Sequence, residues 1–532
     1  DGTDSFTFAD GASVSGSVDG GTGADTLDLS ASTSGVTVDL LSGSATSVGA
    51  ISNIENILTG AGDDTIIGAL SATILDTGAG NDTLDFSAVT ADLSITVHAS
   101  GAISISDGTD TVSNVSGVEN IVGGSGTNTY IFEDGASLAG TIAGGSNVLD
   151  YAASSTAITV NIGAGTATGT GGVSNVVSVI GGSGSDTLTG PAADASWSIT
   201  SANSGSVGGV SFTGIENLAG GSGSDSFAFA DSASVTGAVT GGAGSDTLDH
   251  SASTAGITID LSSGTATGTG GIAEIESVVT GAGNDTIIGA LSATILGTGD
   301  GNDTLDFSAV TAGLAITVHA SGAVSISDGT SSVSNVSGVE NIVGGSATNT
   351  YTFEDGAALA GTISGGSNVL NYAASTSAIA VDLGAGTASG TGGIAGVTGI
   401  IGGSAADTLT GPAADASWTI TGTNSGSVNG VSFSGFENLA GGSGADTFAF
   451  VGGTAASVAG GDGDDYVTGV LDATALDLGL GSDTLDLSSD SGDVTVTVSS
   501  DGSVGIDDGT VNIEGITGAD NVLGTSGTNT YV

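Results

Sequence analysis

The chain contains no lysine and no arginine in 532 residues, against 57 Asp plus Glu and a formal net charge of −57. No salt bridge to either base can form, and self-repulsion opposes compaction unless cations bind or screen it. Nucleic acid is excluded as a partner, because phosphate binding rests on cationic side chains. An anionic membrane surface is disfavoured for the same reason. Trypsin-like proteases find no cleavage site, which suits life outside a cell. Cysteine is absent too, so disulfides contribute nothing and thiols do not report the compartment. There are only 2 prolines, and aromatics make up 4%. No run of roughly 18 apolar residues is present, so no membrane insertion is expected.

What remains is small and aliphatic. Glycine accounts for 98 residues, and the mean hydropathy is +0.34. That value separates the chain from acidic disordered tails. A thin core of Ala, Val, Ile and Leu fits the mix.

Internal repetition is the strongest signal. DSFTF at Asp4 recurs as DSFAF at Asp225 and DTFAF at Asp446, a shift of 221 each time. His98 and His319, Pro191 and Pro412, and Trp197 and Trp418 keep the same shift. The chain therefore divides into a first long repeat (1–221), a second (222–442) and a partial third (443–532). The third is shorter: Asp446 lies 442 after Asp4, but Asp465 lies only 401 after Asp64. The deficit equals two coils. Aspartate turns are spaced 18 (Asp64 to Asp82), 21 (Asp225 to Asp246) and 39 (Asp25 to Asp64). These spacings read as one or two units of a single recurring coil. A fold that loses whole units is built by stacking.

Between the glycine turns lie short alternating stretches such as Ser94-Ile95-Thr96-Val97-His98 and Ala102-Ile103-Ser104-Ile105-Ser106. Period-two alternation puts one face inward and one outward on a strand. No stretch carries a capped 3.6-residue period. The expected fold is all-β: a right-handed parallel β-solenoid or β-roll of about 18–21 residues per coil, an elongated rod of roughly 130 Å. The phrases NIENILTG, GVENIVGG and GIENLAGG precede glycine turns, and Asn120, Asn217, Asn341 and Asn438 are expected to cap them.

Several turns read G-G-x-G-x-D-x-U-x with U apolar, as in Gly181-Gly182-Ser-Gly184-Ser-Asp186-Thr-Leu188. This resembles the nonapeptide of RTX (hemolysin-type calcium-binding) repeat proteins, large secreted bacterial surface, adhesin or fibre-forming chains. The resemblance implies a calcium ion held between corresponding turns of successive coils, with U pointing inward. Calcium takes six to eight oxygens, more than one turn supplies, and a second turn one coil away can complete the shell. The family coil is eighteen residues, the distance from Asp64 to Asp82. The same spacing joins Asp285 to Asp303 and Asp465 to Asp483. These three pairs are the expected metal sites, with Asp63, Asp462 and Asp464 as extra carboxylates; Asp225 and Asp246, 21 apart, form a fourth. The intervening residues 69–77 lack glycine, so one side of the roll at most is expected to bind metal. Asn128, Asn349 and Asn529 replace aspartate by a neutral amide.

The function expected is an extracellular structural repeat protein, a calcium-stabilised acidic solenoid in a cell-surface fibre, surface layer or matrix. Homo-assembly, end to end or lateral through bridging cations, is the expected partnership, beside an unidentified glycan or cell-surface partner. The alternatives are a long adhesin stalk, or a glycan- or ice-binding module using Trp197 and Trp418. Thr166-Ala-Thr168 and Thr265-Ala-Thr267 are 99 apart and make no ice-binding ladder. Least favoured is a β-helix polysaccharide-modifying enzyme, which would need Arg or Lys against a uronate. No catalytic residue is assigned: the histidines are His98, His250 and His319, and the repeated position falls on an outer strand face, solvated.

Overall fold

In the computed structural model the chain is an all-β parallel solenoid wound from short strands. The structure describes residues 1–532 except 69, 71, 72, 290, 292, 470, 471 and 510 and the side chains of 74 and 75. Part of the segment 69–77 thus lies outside the described residues. The fold comprises two compact units, Asp1–Ser253 with Gly264–Ser277, and Thr254–Ser263 with Val278–Val532.

The alternating stretches are strands. In Leu93–Val97, Leu93, Ile95 and Val97 are buried while Ser94 faces out. Coils stack through parallel ladders. In the first unit Thr127–Phe132 pairs with Ser146–Asp150, that strand with Val176–Ile180, and that with Val210–Thr213. The register aligns Tyr130, Leu149, Val179 and Phe212 in one buried column. The second unit repeats it with Tyr351, Leu370, Ile400 and Phe433. Each fully buried aliphatic or aromatic residue contributes about 1.5–3 kcal/mol, and these columns replace a thick core.

A winding gives one strand to each of two sheets. Ser5–Thr7, Thr26–Asp28 and Asn56–Leu58 follow one another in one sheet, while Thr65–Ile67 and Asp82–Asp85 adjoin in another. The step of 39 from Asp25 to Asp64 therefore crosses from sheet to sheet and is not a count of stacked coils. Among parallel neighbours, Thr65 pairs with Thr83 at a step of 18, and Ser5 with Thr26 at a step of 21. Elsewhere a coil is longer: the step is 30 from Thr26 to Asn56, and 37 from Thr83 to Asn120.

The added length folds as antiparallel excursions. Leu93–Val97, Ile103–Ser106 and Thr111–Val115 form a three-stranded meander. Its first turn is closed by His98 N–H to Ala102 O (2.9 Å), with Gly101 at φ 84°, where glycine carries no steric penalty. Ser196–Ser201, Ser204–Val207 and Val210–Thr213 form another.

Trp197 and Trp418 lie inside. Trp197 is 1% exposed and stacks on Phe227 with centroids 5.3 Å apart; Trp418 stacks on Phe448 in the same way. Neither ring is available to a sugar, which removes that basis for a glycan-binding reading. Trp197→Ala is expected to destabilise the fold by about 3–5 kcal/mol through the cavity it leaves, measured by urea unfolding. A loss below about 1 kcal/mol would contradict the core assignment.

Candidate cation site at the stacked aspartate turns

Each predicted aspartate pair meets across neighbouring coils. Asp64 N–H donates to Asp82 Oδ1 (2.8 Å), Asp285 N–H to Asp303 Oδ1 (2.8 Å), Asp465 N–H to Asp483 Oδ1 (2.8 Å) and Asp225 N–H to Asp246 Oδ1 (2.7 Å). All eight carboxylates are buried. They point inward beneath the turn, and one oxygen of each bonds the coil before it: Asp64 Oδ1 accepts from Val36 N–H, Asp225 Oδ1 from Ala195 N–H and Asp285 Oδ1 from Ile257 N–H. The turn aspartate is thus a rung that satisfies a backbone donor of the adjacent coil, a group that would be costly to bury alone.

The rungs run further than the sequence reading placed them. Asp446 N–H donates to Asp465 Oδ1 (2.8 Å), and Asp4 N–H to Asp25 Oδ1 (2.7 Å). The spacing of 19 between Asp446 and Asp465 was the available signal. Aspartate turns also head strands of both sheets, Asp25 in one and Asp64 in the other. Most ladders end on a longer acid: Asp82 N–H donates to Glu119 Oε2, Asp186 to Glu216, Asp246 to Glu276 and Asp303 to Glu340. Glu119, Glu216 and Glu340 are the glutamates of the Glu-Asn phrase, whose role sequence reasoning missed, while Glu276 is followed by Ser277. In the third repeat Asp520 takes that place, accepting from Asp483 N–H. The asparagines cap as expected: Asn120 Nδ2 donates to Asp82 O, and its Oδ1 accepts from Thr141 N–H.

The extra carboxylates behave differently. Asp63 Oδ1 accepts from Asn81 N–H and Asp464 Oδ1 from Ser482 N–H, on the exposed side of the turn. Asp462 sits in a backbone bridge with Leu480. Among the described residues no three His, Cys, Asp or Glu side chains gather at one point, so any ion here would draw on backbone carbonyls as well.

The second oxygen decides what each turn can do. Asp25, Asp82, Asp225, Asp246, Asp285, Asp303, Asp446, Asp465 and Asp483 each bury an Oδ2 that has no hydrogen-bond partner. At Asp64, Asp186 and Asp407 that atom accepts from Gly60, Gly182 and Gly403 N–H. The first glycine of the motif makes room for the orphaned oxygen. A Cβ on Gly220 would lie 2.2 Å from Asp225 Oδ2 and 2.4 Å from Gly241 O; on Gly460 it would lie 2.2 Å from Asp465 Oδ2 and 2.3 Å from Leu478 O. A carboxylate oxygen and a carbonyl oxygen of the next coil thus converge, a pairing that needs something positive between them. Two of the three 18-spaced pairs, Asp64–Asp82 and Asp285–Asp303, differ. Thr59 and Thr280 stand at that position, and their hydroxyls donate to Thr77 O (2.7 Å) and Thr298 O (2.8 Å). The turns that keep glycine there, at Asp225, Asp246, Asp446 and Asp465, are therefore the more open.

The asparagine turns link successive coils without charge, from side chain to side chain. Asn128 Oδ1 accepts from Gly124 N–H, its Nδ2 donates to Asn147 Oδ1, and Asn147 Nδ2 donates to Ser174 O. Asn349 and Asn368 repeat it. The outer-face histidines are not merely solvated, contrary to expectation. His98 Nδ1 lies 2.9 Å from Glu133 Oε1 and Nε2 2.8 Å from Ser104 Oγ; His319 makes the same contacts with Glu354 and Ser325. His250 is buried against Phe229. No protein-family model and no curated protein matches the chain.

Burial pushes the carboxyls of Asp82, Asp225, Asp246, Asp303, Asp446 and Asp483 above the ordinary range, and that of Asp465 to about 6. Stability from such groups is complete below the ordinary aspartate range and is lost as pH rises through the raised values. Asp28, Asp39 and Asp260 are held low by serine hydrogen bonds, Asp260 at about 2. Their contribution is lost as pH falls through those values. Without divalent cations the melting temperature is expected to be highest at about pH 4 and lower at neutral pH; a flat or rising profile from there to neutrality would refute the burial of free carboxylates. Gly220→Ala is expected to cost about 1–3 kcal/mol from overpacking in urea unfolding. Gly16→Ala, with nothing within 4 Å of its Cβ position, serves as the control and should cost much less.

Proposed function

We propose that this chain is an extracellular structural repeat protein, an acidic solenoid of the RTX-like kind, stiffened by calcium and built into a cell-surface fibre, surface layer or matrix. The observation that carries the reading is the row of buried, unpartnered carboxylate oxygens facing carbonyls of the next coil. An unpaired buried charge is strongly destabilising. The chain has a neutral solution in Asn128–Asn147, yet it keeps aspartate at nine such positions among the described residues. With no lysine or arginine available, the missing positive charge has to come from solution.

Calcium suits hard oxygen donors. Asp225 and Asp246 with Gly241 O, and Asp446 and Asp465 with Gly460 O and Leu478 O, are the groups that would hold it. Bound there it supplies charge neutralisation and ties one coil to the next. Extracellular calcium fills even weak sites of roughly 10⁻⁴–10⁻³ M. The role is mechanical in the main. Lateral or end-to-end association of copies follows from the same need for bridging cations between acidic surfaces.

The test compares Asp225→Asn/Asp246→Asn/Asp446→Asn/Asp465→Asn with Asp64→Asn/Asp82→Asn/Asp285→Asn/Asp303→Asn. Calcium is expected to raise the melting temperature of the wild type, and the rise should shrink most in the first variant. In chelator that variant should melt no lower than wild type, because each amide donates where a carboxylate has no partner. Equal calcium shifts in all three proteins would remove the metal assignment. Electron microscopy of assembled material with and without chelator tests the structural role separately.

A further inference from the structure

We infer that Ser104, and Ser325 one repeat later, are acyl-transfer nucleophiles able to hydrolyse small, neutral O-acyl esters. The activity is independent of the structural role proposed above. The two sites are copies, each built from one excursion and the coil that follows it. His98 ends the strand Leu93–Val97, Ser104 lies on the returning strand Ile103–Ser106, and Glu133 follows the neighbouring strand Thr127–Phe132.

The hydrogen-bond chain fixes each proton. Glu133 Oε2 accepts from Ala99 N–H (3.0 Å) and Oε1 faces His98 Nδ1 (2.9 Å). Those two contacts hold the Glu133 carboxyl below its ordinary value. An ionised carboxylate only accepts, so Nδ1 carries a proton, and in the neutral ring Nε2 is then the bare nitrogen facing Ser104 Oγ. Asn114 N–H donates to Ser104 Oγ (3.2 Å), leaving the hydroxyl hydrogen to point along the 2.8 Å contact to Nε2. Nucleophile, base and orienting acid are thus in the relation that acyl transfer needs. The second copy keeps every contact: Ser325 Oγ to His319 Nε2 at 2.8 Å, His319 Nδ1 to Glu354 Oε1 at 2.9 Å and Ala320 N–H to Glu354 Oε2 at 3.0 Å.

In the reaction Nε2 takes the Oγ proton as Oγ bonds to the ester carbonyl carbon. The carbon–oxygen bond to the alcohol then breaks, and Nε2 returns the proton to the departing oxygen. Water repeats the sequence on the acyl-serine, releasing a carboxylic acid and restoring the serine. Asn114 is exposed beside the nucleophile, and its carboxamide is the donor we assign to the oxyanion. The His98 side chain is 25% exposed on the outer sheet face, so esters reach it from solution. The net charge of −57 repels anionic substrates, which leaves uncharged esters such as an acetylated hydroxyl. The third repeat is an internal blank: Ser499 and Gly505 occupy the His98 and Ser104 positions, and a groove of about 560 Å³ opens there.

The full chain would be treated with a fluorophosphonate, cleaved at acidic residues and read by mass spectrometry, with p-nitrophenyl acetate hydrolysis in parallel. Adducts are expected on Ser104 and Ser325 alone, lost in His98→Gln/His319→Gln. Hydrolysis should fall about tenfold or more in Ser104→Ala/Ser325→Ala, with an unchanged melting temperature. Absence of adducts, or adducts scattered over other serines, would overturn the assignment. So would hydrolysis that survives the serine variant but not the histidine variant, since the imidazole would then act alone.

Discussion

The structure depends on one unusual hydrogen bond, from the backbone N–H of a turn to a carboxylate on the next coil. A solenoid must satisfy the donors of every bend where the sheet ladder is interrupted. Here acids do that work in a chain with no lysine or arginine to balance them. Each such carboxylate brings two oxygens to a place where one is needed. The first holds the coils in register; the second is satisfied by a glycine N–H at Asp64, Asp186 and Asp407 and elsewhere is a deficit, unless a proton or a cation fills it. Burial, the weakened acidities and the glycine that makes room are consequences of the same contact.

Much of this was legible in the sequence. The period-two stretches became strands with the expected faces, and the pairs Asp64–Asp82, Asp285–Asp303, Asp465–Asp483 and Asp225–Asp246 became neighbours, because a register once set by coils of matching length carries identical turns onto one another. Less visible was that winding lengths vary. The stretch between Asp82 and Glu119 includes a whole antiparallel meander, and a single chain gives no sign of whether an added stretch prolongs a coil or adds one. The step from Asp25 to Asp64 was misread for that reason: a spacing cannot report which of two sheets a turn heads. Glu119 and its counterparts were overlooked because their partner amides lie 30–37 residues away. The relative openness of the turns was hidden as well. Thr59 looks like a conservative stand-in for glycine until its hydroxyl is seen spending itself on Thr77 O.

A second recurrent device was also present and unread. In the phrase Thr-Leu-Asp that ends many strands, the aspartate accepts from the N–H two residues on, as Asp28 does from Ser30, Asp85 from Ser87 and Asp306 from Ser308. These outer acids hold the bend that leaves the strand, while those at the start of the strand lie under the turn that enters it. A chain so rich in aspartate therefore uses it at both ends of a strand, in two environments. The outer set is satisfied by its donors; most of the inner set is short of a partner. Much of the formal charge is in this sense structural, since each outer carboxylate closes a turn.

The glutamate that closes most ladders has a further effect. Asp64 and Asp82 are followed by Glu119, and Asp225 and Asp246 by Glu276. Among the described residues of the two full repeats, the column of inner aspartates is divided into short blocks, each sealed by a side chain with one more methylene. Gain or loss of a positive charge in one block has no hydrogen-bonded aspartate beyond the seal through which to pass. A fault in the hydrogen-bonded ladder of one block therefore stays in that block.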